Sequence, residues 1–295
     1  MGSPSEEIGT FLKMSSESEK YLKVIFELIQ EASTIALKFS AKSEPSLKSD
    51  TSVVTKADKM ISKLAQKQLE PFLKTKKHIL IDEEDPKVGL WLSQENLKKS
   101  KYIWAIDPID GSRNYANGMP NFGLSIGILK DLKPWLGVVY FPVFNELLYC
   151  DGRSSYIVQN PFTKKQKKKL IKRAEVKIDN AAIFLCNDQF FKTFHWDYKD
   201  CRVMIQACAA IDLCWSALGR VCGCIIRCSL WDFAGSWPIL KNAGLELRDF
   251  DTGRVIDCVD VNLFLKENTP WKLNGFLMAC SEKNYPALKK KITSI

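Results

Sequence analysis

Two amphipathic helices open the chain. Tyr21, Ile25, Leu28, Ile29, Ala32, Ile35, Ala36 and Phe39 recur at helical spacing, and a polar stretch holding Pro45 ends the segment. Met60, Ile61, Leu64, Ala65, Leu69 and Phe72 repeat the pattern and predict a second helix from Ala57 to Leu73. The apolar run His78-Ile79-Leu80-Ile81 then reads as a strand leading straight into Asp82-Glu83-Glu84-Asp85. Tyr102 to Ile106 reads as another, ending at Asp107. Leu124 to Leu129, Trp135 to Phe141 and Leu147 to Cys150 read as strands separated by turn residues. Past a dense basic run, strands alternate with helices. Ala182 to Cys186, Val203 to Gln206, Cys224 to Arg227 and Phe276 to Cys280 are the strands; Leu213 to Leu218 and Asp232 to Asn242 are the helices, the second closing at Gly244. There is no internal repeat. The break at the basic run predicts two lobes of one unit, an N-terminal α+β lobe over 1–160 and a C-terminal α/β lobe over 161–295.

Composition narrows the class. Of 295 residues, 46% are hydrophobic and 26% charged, which excludes a disordered chain, a fibre and a low-complexity scaffold. No apolar run approaches the roughly 18 residues of a membrane helix. Met1-Gly2-Ser3-Pro4 is followed by Ser and Glu rather than an apolar signal core, so secretion is not expected. Glu6 stands where a myristoylation motif needs Ser or Thr.

The net charge of +9 favours anionic partners. Much of it is local, in Lys164, Lys165, Lys167, Lys168, Lys169, Lys172 and Arg173, which read as a solvated loop; a nucleic-acid or membrane contact is the competing reading. Most of the ten cysteines sit in apolar stretches, as Cys186, Cys214 and Cys280 do, which suits buried thiols in a reducing cytosol. Cys222, Cys224 and Cys228 are close in sequence, but a structural zinc site wants four ligands in paired spacings, and neither His78 nor His195 is near. The expectation is a cytoplasmic protein without a membrane or nucleic-acid partner.

Three acidic clusters lie at strand ends or helix starts: Glu83-Glu84, Asp107 with Asp110, and Asp232. Strand ends of open α/β sheets are where ligand sites gather. Crowded carboxylates repel unless something cationic neutralises them, and hard oxygen ligands without His or Cys suit Mg²⁺. In Asp107-Pro108-Ile109-Asp110-Gly111-Ser112, Pro108 fixes the turn, so that both aspartates face one space with the Ile109 carbonyl between them. Gly111 permits close backbone approach, and the amides there can hold a phosphate oxygen at a helix start. Taken alone, the motif is also compatible with two capping aspartates on an ordinary turn.

Glu83-Glu84, then Trp104-Ala105-Ile106-Asp107-Pro108-Ile109-Asp110-Gly111-Ser112, then Trp231-Asp232-Phe233-Ala234-Gly235 resemble the signature blocks of the inositol monophosphatase superfamily, Mg²⁺-dependent and lithium-sensitive phosphatases. The resemblance extends to Val54-Thr55-Lys56-Ala57-Asp58, Ser125-Ile126-Gly127-Ile128 and Gly137-Val138-Val139-Tyr140-Phe141-Pro142. It implies an α/β (α+β) fold, a layered αβαβα sandwich of the sugar-phosphatase type, often dimeric. It implies a phosphomonoesterase working by attack of a metal-bound water. Glu83, Asp107, Asp110, Asp232 and the Ile109 carbonyl would hold two to three Mg²⁺ ions. Ser112 stands where a threonine usually helps to position the water, with Asp58 as its partner. The amides of Gly111 and Ser112 would grip the phosphate.

Some positions depart from the pattern. Asp82 replaces a frequent glycine and reads as a solvent-facing side chain beside Glu83. Arg113 stands where nucleotide bisphosphatases often carry a basic residue, and it either holds a second phosphate or lies on the surface. Seven residues before Asp232, where inositol-specific members carry a glutamate, stands Ile225, with Arg227 nearby. The segment Asn114 to Pro120 resembles inositol phosphatases and archaeal-type fructose bisphosphatases. A small polyol or sugar phosphate is therefore the first expected substrate. Fructose 1,6-bisphosphate and 3′-phosphoadenosine 5′-phosphate follow, and a non-catalytic RNA- or protein-binding regulator comes last.

Overall fold

The computed structural model describes residues 16–40, 46–47, 53–172, 175–265 and 269–295. Pro45, Arg173 and the Met1–Glu6 start lie outside the described residues.

The helices Ser16–Ser40 and Lys56–Leu73 form where the apolar periodicity placed them, and they pack on one another. Met60 is the exception on its predicted face, since it is exposed. Both helices lie on one face of a seven-stranded sheet, burying Leu22, Ile25, Ile61 and Leu69 against Trp104, Ile126 and Val138. The sheet runs in chain order through His78–Asp82, Tyr102–Asp110, Gly123–Lys130, Lys133–Phe141, Glu146–Cys150, Ser155–Gln159 and Lys167–Leu170. Its first pair is parallel and the rest are antiparallel.

The basic run is not the expected loop. Lys167–Leu170 is an exposed edge strand paired with Ser155–Gln159, and the first sheet thus continues beyond residue 160. Lysines on an edge strand keep a second strand from adding there, which gives the charge run a place in the sheet.

The other face of the sheet meets the helices Ala209–Ala217, Leu230–Ala234 and Trp237–Asn242. Beneath these lies a five-stranded sheet in the order Arg202–Ile205, Ile183–Cys186, Gly223–Ile226, Leu277–Cys280, Glu246–Asp249. Its outer face buries Phe190, Phe194 and Trp196 with Leu288 of the Tyr285–Lys290 helix. The layers are helix, sheet, helix, sheet, helix, as expected.

Two glycines set the closeness of the central layer. A Cβ on Gly127 would lie 2.4 Å from the Ala234 carbonyl carbon, and one on Gly137 would lie 2.0 Å from the Gly235 oxygen. The bare backbone at these positions lets the Leu230–Ala234 helix rest directly on the first sheet. The predicted helix from Asp232 to Asn242 is in fact two short helices interrupted at Gly235 and Ser236.

Candidate active site

The Tyr102–Asp110 strand is buried along its whole length, and Pro108 lies within it rather than in the expected turn. Its register against Gly123–Lys130 shifts between Asp107 and Asp110. Asp107 Oδ1 accepts from the Ile109 amide at 2.9 Å. Gly111 follows with φ 85°, and a Cβ there would come within 2.7 Å of the Asn121 carbonyl oxygen. Only glycine turns the chain here into the Ser112–Ala116 helix.

Glu83 leaves the neighbouring parallel strand, and its amide donates to the Ile106 carbonyl at 3.3 Å. Asp232 opens the Leu230–Ala234 helix, where its Oδ2 accepts from the Ser229 amide at 2.6 Å. Ser125 Oγ ties that helix to the sheet by donating to the Trp231 carbonyl at 3.3 Å.

One carboxylate oxygen from each of Glu83, Asp107 and Asp232 lies within 4.8 Å of the others. The crowding is visible electrostatically. Burial pushes the Asp107 carboxyl well above the usual carboxylate range, and the charges of Glu83, Asp232 and Asp110 push it further. Asp232 is pushed up to about 8, by burial first and then by Asp110 and Glu83. Oxygen-only donors whose mutual repulsion a divalent charge would relieve fit Mg²⁺. Among the described residues no other His, Cys, Asp and Glu grouping is close enough to hold an ion, the cysteines included.

Asp110 lines the same cavity but stands outside the trio. Its Oδ2 accepts from the Ala210 amide at 2.5 Å and from Cys208 Sγ at 3.1 Å, its Oδ1 from the Ala209 amide at 3.3 Å. Asp110 thus sits on the N-terminus of the Ala209–Ala217 helix, and burial raises its carboxyl to about 6. The Ile109 carbonyl accepts from Ser112 Oγ at 2.9 Å.

Asp58 is fully buried and caps its own helix, accepting at Oδ2 from the Thr55 amide at 2.8 Å and the Thr55 hydroxyl at 2.5 Å. Its Oδ1 has no partner, and burial raises the carboxyl to about 6. The Val53–Val54 strand just before it packs on the Ser112–Ala116 helix. No direct bond joins Asp58 to Ser112, whose hydroxyl is turned to Ile109.

Asp82 is not solvent-facing. It is fully buried and accepts from Ser62 Oγ at 2.5 Å, Gln66 Nε2 at 3.3 Å and the Glu84 amide at 3.0 Å. Strand alternation explains the correction: Glu83 faces the cavity, so Asp82 turns to the opposite side, toward the Lys56–Leu73 helix.

Arg113 is exposed, with Nη1 3.3 Å from Asp188 Oδ2. Arg227 donates from Nε to the Leu273 carbonyl at 3.5 Å and from Nη2 to the Asn274 carbonyl at 3.3 Å. Both line the cavity, whose volume is about 680 Å³. Ile225 does not line it. That side chain is buried in the outer core, and the next residue, Ile226, faces the cavity.

Three features carry no sequence signal. Ala207 lines the cavity with φ 54°, held where Asn114 Nδ2 donates to the Gln206 carbonyl at 2.8 Å. Asp212 is buried against the same space with Oδ1 unpartnered. Trp271, fully buried, ties the loop after Glu83 to the segment that follows residue 268.

The family model described as the inositol monophosphatase family matches residues 14–290. An Aquifex aeolicus fructose-1,6-bisphosphatase/inositol-1-monophosphatase is 33% identical over 49% of this chain and 56% of its own length. A tomato (Solanum lycopersicum) inositol monophosphatase 1 is 34% identical over 50% and 55%. The Nus factor SuhB of Pasteurella multocida is 33% identical over 53% and 60%. The chain thus spans between half and two thirds of the length of these curated relatives. Among solved structures, a staphylococcal IMPase-I complexed with products superposes with a TM-score of 0.71 at 18% identity, over 92% of this chain and 94% of that one. An IMPase/NADP phosphatase complexed with Mg²⁺ and phosphate superposes with 0.71 at 16%, over 93% and 95%. The fold and the match along nearly the whole chain place this protein in the inositol monophosphatase family of phosphatases.

Proposed function

We propose that the chain is a Mg²⁺-dependent phosphomonoesterase acting on a small polyol or sugar phosphate. The observation that carries this is the convergence of the Glu83, Asp107 and Asp232 oxygens within 4.8 Å at the floor of the cavity. Glu83, Asp107, Asp110, Asp232 and the Ile109 carbonyl would hold two to three Mg²⁺ ions. Bound there, Mg²⁺ supplies charge neutralisation, a water of lowered pKa and stabilisation of the leaving oxygen.

The chain's own residues do the rest. The Gly111 and Ser112 amides, at the start of the Ser112–Ala116 helix, orient the phosphate oxygens. Ser112 Oγ positions the attacking group. Asp58, buried with Oδ1 unpartnered, is the proton acceptor behind it. Arg113 and Arg227 bind parts of the substrate beyond the scissile phosphate.

Relatives named inositol monophosphatase and fructose-1,6-bisphosphatase support this reading. Other relatives are named Nus factor SuhB, so a non-catalytic regulator is the second reading, and the intact carboxylate set favours the enzyme. Nucleotide bisphosphatase activity remains the alternative within the enzyme class. A homodimer is consistent with Met204 and Ile205, exposed on the edge strand Arg202–Ile205. Among the described residues no helix is long and apolar enough to cross a membrane. All ten cysteines are free, which supports a reducing, cytoplasmic setting. The division into lobes over 1–160 and 161–295 belongs to the same proposal, with the Lys167–Leu170 strand of the second segment completing the sheet of the first.

The test is phosphate release from inositol 1-phosphate across a Mg²⁺ titration, with Asp107→Asn beside the wild type. Turnover should require Mg²⁺ and vanish in the variant. Activity that persists in EDTA, or survives in Asp107→Asn, would refute the reading.

A further inference from the structure

Two lysines stand in the cavity wall with their charges unspent. Lys87 lies in the loop after Glu83 and Lys272 in the segment 269–273, and both line the cavity. Neither side chain makes a hydrogen bond, ion pair or ring contact among the described residues. The two arginines differ. Arg113 is engaged by Asp188, and Arg227 by the carbonyls of Leu273 and Asn274 and the ring of Phe276.

The backbones of the two lysines are locked together. The buried Trp271 donates its indole N–H to the Val88 carbonyl at 2.9 Å, so the residues next to this bond are Lys272 and Lys87. Pro270 packs where a Cβ on Gly89 would lie, 3.0 Å from its Cγ. The Trp271 carbonyl in turn accepts from the Leu230 amide at 3.0 Å, and Ser229 bridges Lys272 in antiparallel fashion. Both loops are thereby fixed to the helix start that carries Asp232. Trp271 also holds φ at 68°, a conformation that bulky residues avoid unless their surroundings enforce it. A strained, buried anchor joins two loops, and each loop carries a lysine that lines one cavity.

We infer that Lys87 and Lys272 form a second anion subsite, and that the preferred substrate carries a second phosphate beyond the one that is cleaved. The inference rests on the phosphatase reading and names the substrate class of that site. Trp271 is a positioning residue for the pair and touches no reacting atom.

The test compares kcat/KM for fructose 1,6-bisphosphate and for fructose 1-phosphate in the wild type, Lys87→Ala, Lys272→Ala and the double variant. Each single change should lower the bisphosphate value about tenfold, and the double change more, with the monophosphate value nearly constant. Raising the salt concentration should shrink the difference. Trp271→Phe, which keeps the ring packing and loses the bond to Val88, should lower the same ratio through KM and leave kcat. Equal losses on both substrates, or none, would overturn the subsite while leaving the phosphatase reading intact. If no phosphoester is hydrolysed, the phosphatase reading fails by itself. Calorimetric titration of the bisphosphate then decides the subsite: weaker binding to the double variant supports it, and unchanged binding overturns it.

Discussion

A methyl group on Gly137 would test whether contact between the first sheet and the Leu230–Ala234 helix sets the geometry of the carboxylates. The new Cβ would lie 2.0 Å from the Gly235 oxygen and 2.9 Å from the Gly235 carbonyl carbon and Pro238 Cγ. Real Cβ contacts do not fall below 3.0 Å, so the helix must retreat by at least about 1 Å. Its nearest obstacle is backbone, so no rotamer change absorbs the clash. Overpacking of this kind costs about 1–3 kcal/mol, or roughly 2–12 °C in melting temperature. The shift reaches Asp232, in the turn just before Gly235, and pulls its oxygen away from Glu83 and Asp107. A misplacement of about 1 Å can cost roughly a hundredfold in rate. Gly137→Ala should therefore lose about two orders of magnitude in kcat and need more Mg²⁺. Gly118→Ala is the control: nothing lies within 4 Å of its added Cβ, and only its φ of 69° is strained. It should lose about 1 kcal/mol of stability and keep its turnover. Wild-type kcat in Gly137→Ala would refute the argument.

The other predictions concern the same centre. LiCl should inhibit turnover at saturating Mg²⁺ more than matched NaCl does, and equal responses to the two salts would count against a family-type metal site. Ser112→Ala and Asp58→Asn should each lower kcat roughly a hundredfold with little change in KM, and together no more than either alone; additive losses would show that the two do not work as a unit. Asp232 is raised to about 8, and Asp110 and Asp58 to about 6, all above their unfolded value of 3.8. Between these limits the folded state holds protons that the unfolded chain has released. The stability of the metal-free protein should therefore fall as pH rises from 4 toward 8. Mg²⁺ should raise the melting temperature more at pH 8 than at pH 5, and a metal-free melting temperature that does not fall across this range would contradict the sign.

The long helices and the central strands were legible because each repeats its apolar spacing long enough to fix a period. Ser46–Leu47 and Phe194–Trp196 are too short to carry one, and they exist only because a partner strand lies beside them. The carboxylate trio was legible as three motifs, since each aspartate or glutamate sits where a strand ends or a helix begins. Orientation was harder to read. Asp82 and Ile225 each adjoin a residue that faces the cavity, and the two-residue period of a strand sends both the other way. The hydrogen-bond partners of the Asp110 carboxylate were hidden for a different reason. They are amides at Ala209 and Ala210, brought there by the Ala207 turn, which no local pattern announces.

The two ends of the cavity follow different rules. At the floor, the candidate residues come from motifs in which the residue and its backbone setting are adjacent, as with Asp107, Gly111 and Ser112. A substitution there changes chemistry and leaves a readable trace in sequence. At the mouth, the loops of Lys87 and Lys272 are joined by an indole bond spanning 183 residues, between Trp271 and Val88, and by the packing of Pro270 on Gly89. Neither lysine belongs to a motif, and each alone would pass for an ordinary surface charge. Floor and mouth meet at Leu230, whose amide bonds Trp271 and whose helix carries Asp232. The proposed subsite can then be altered without moving a carboxylate of the trio, and it is read from the folded loops rather than from the motifs.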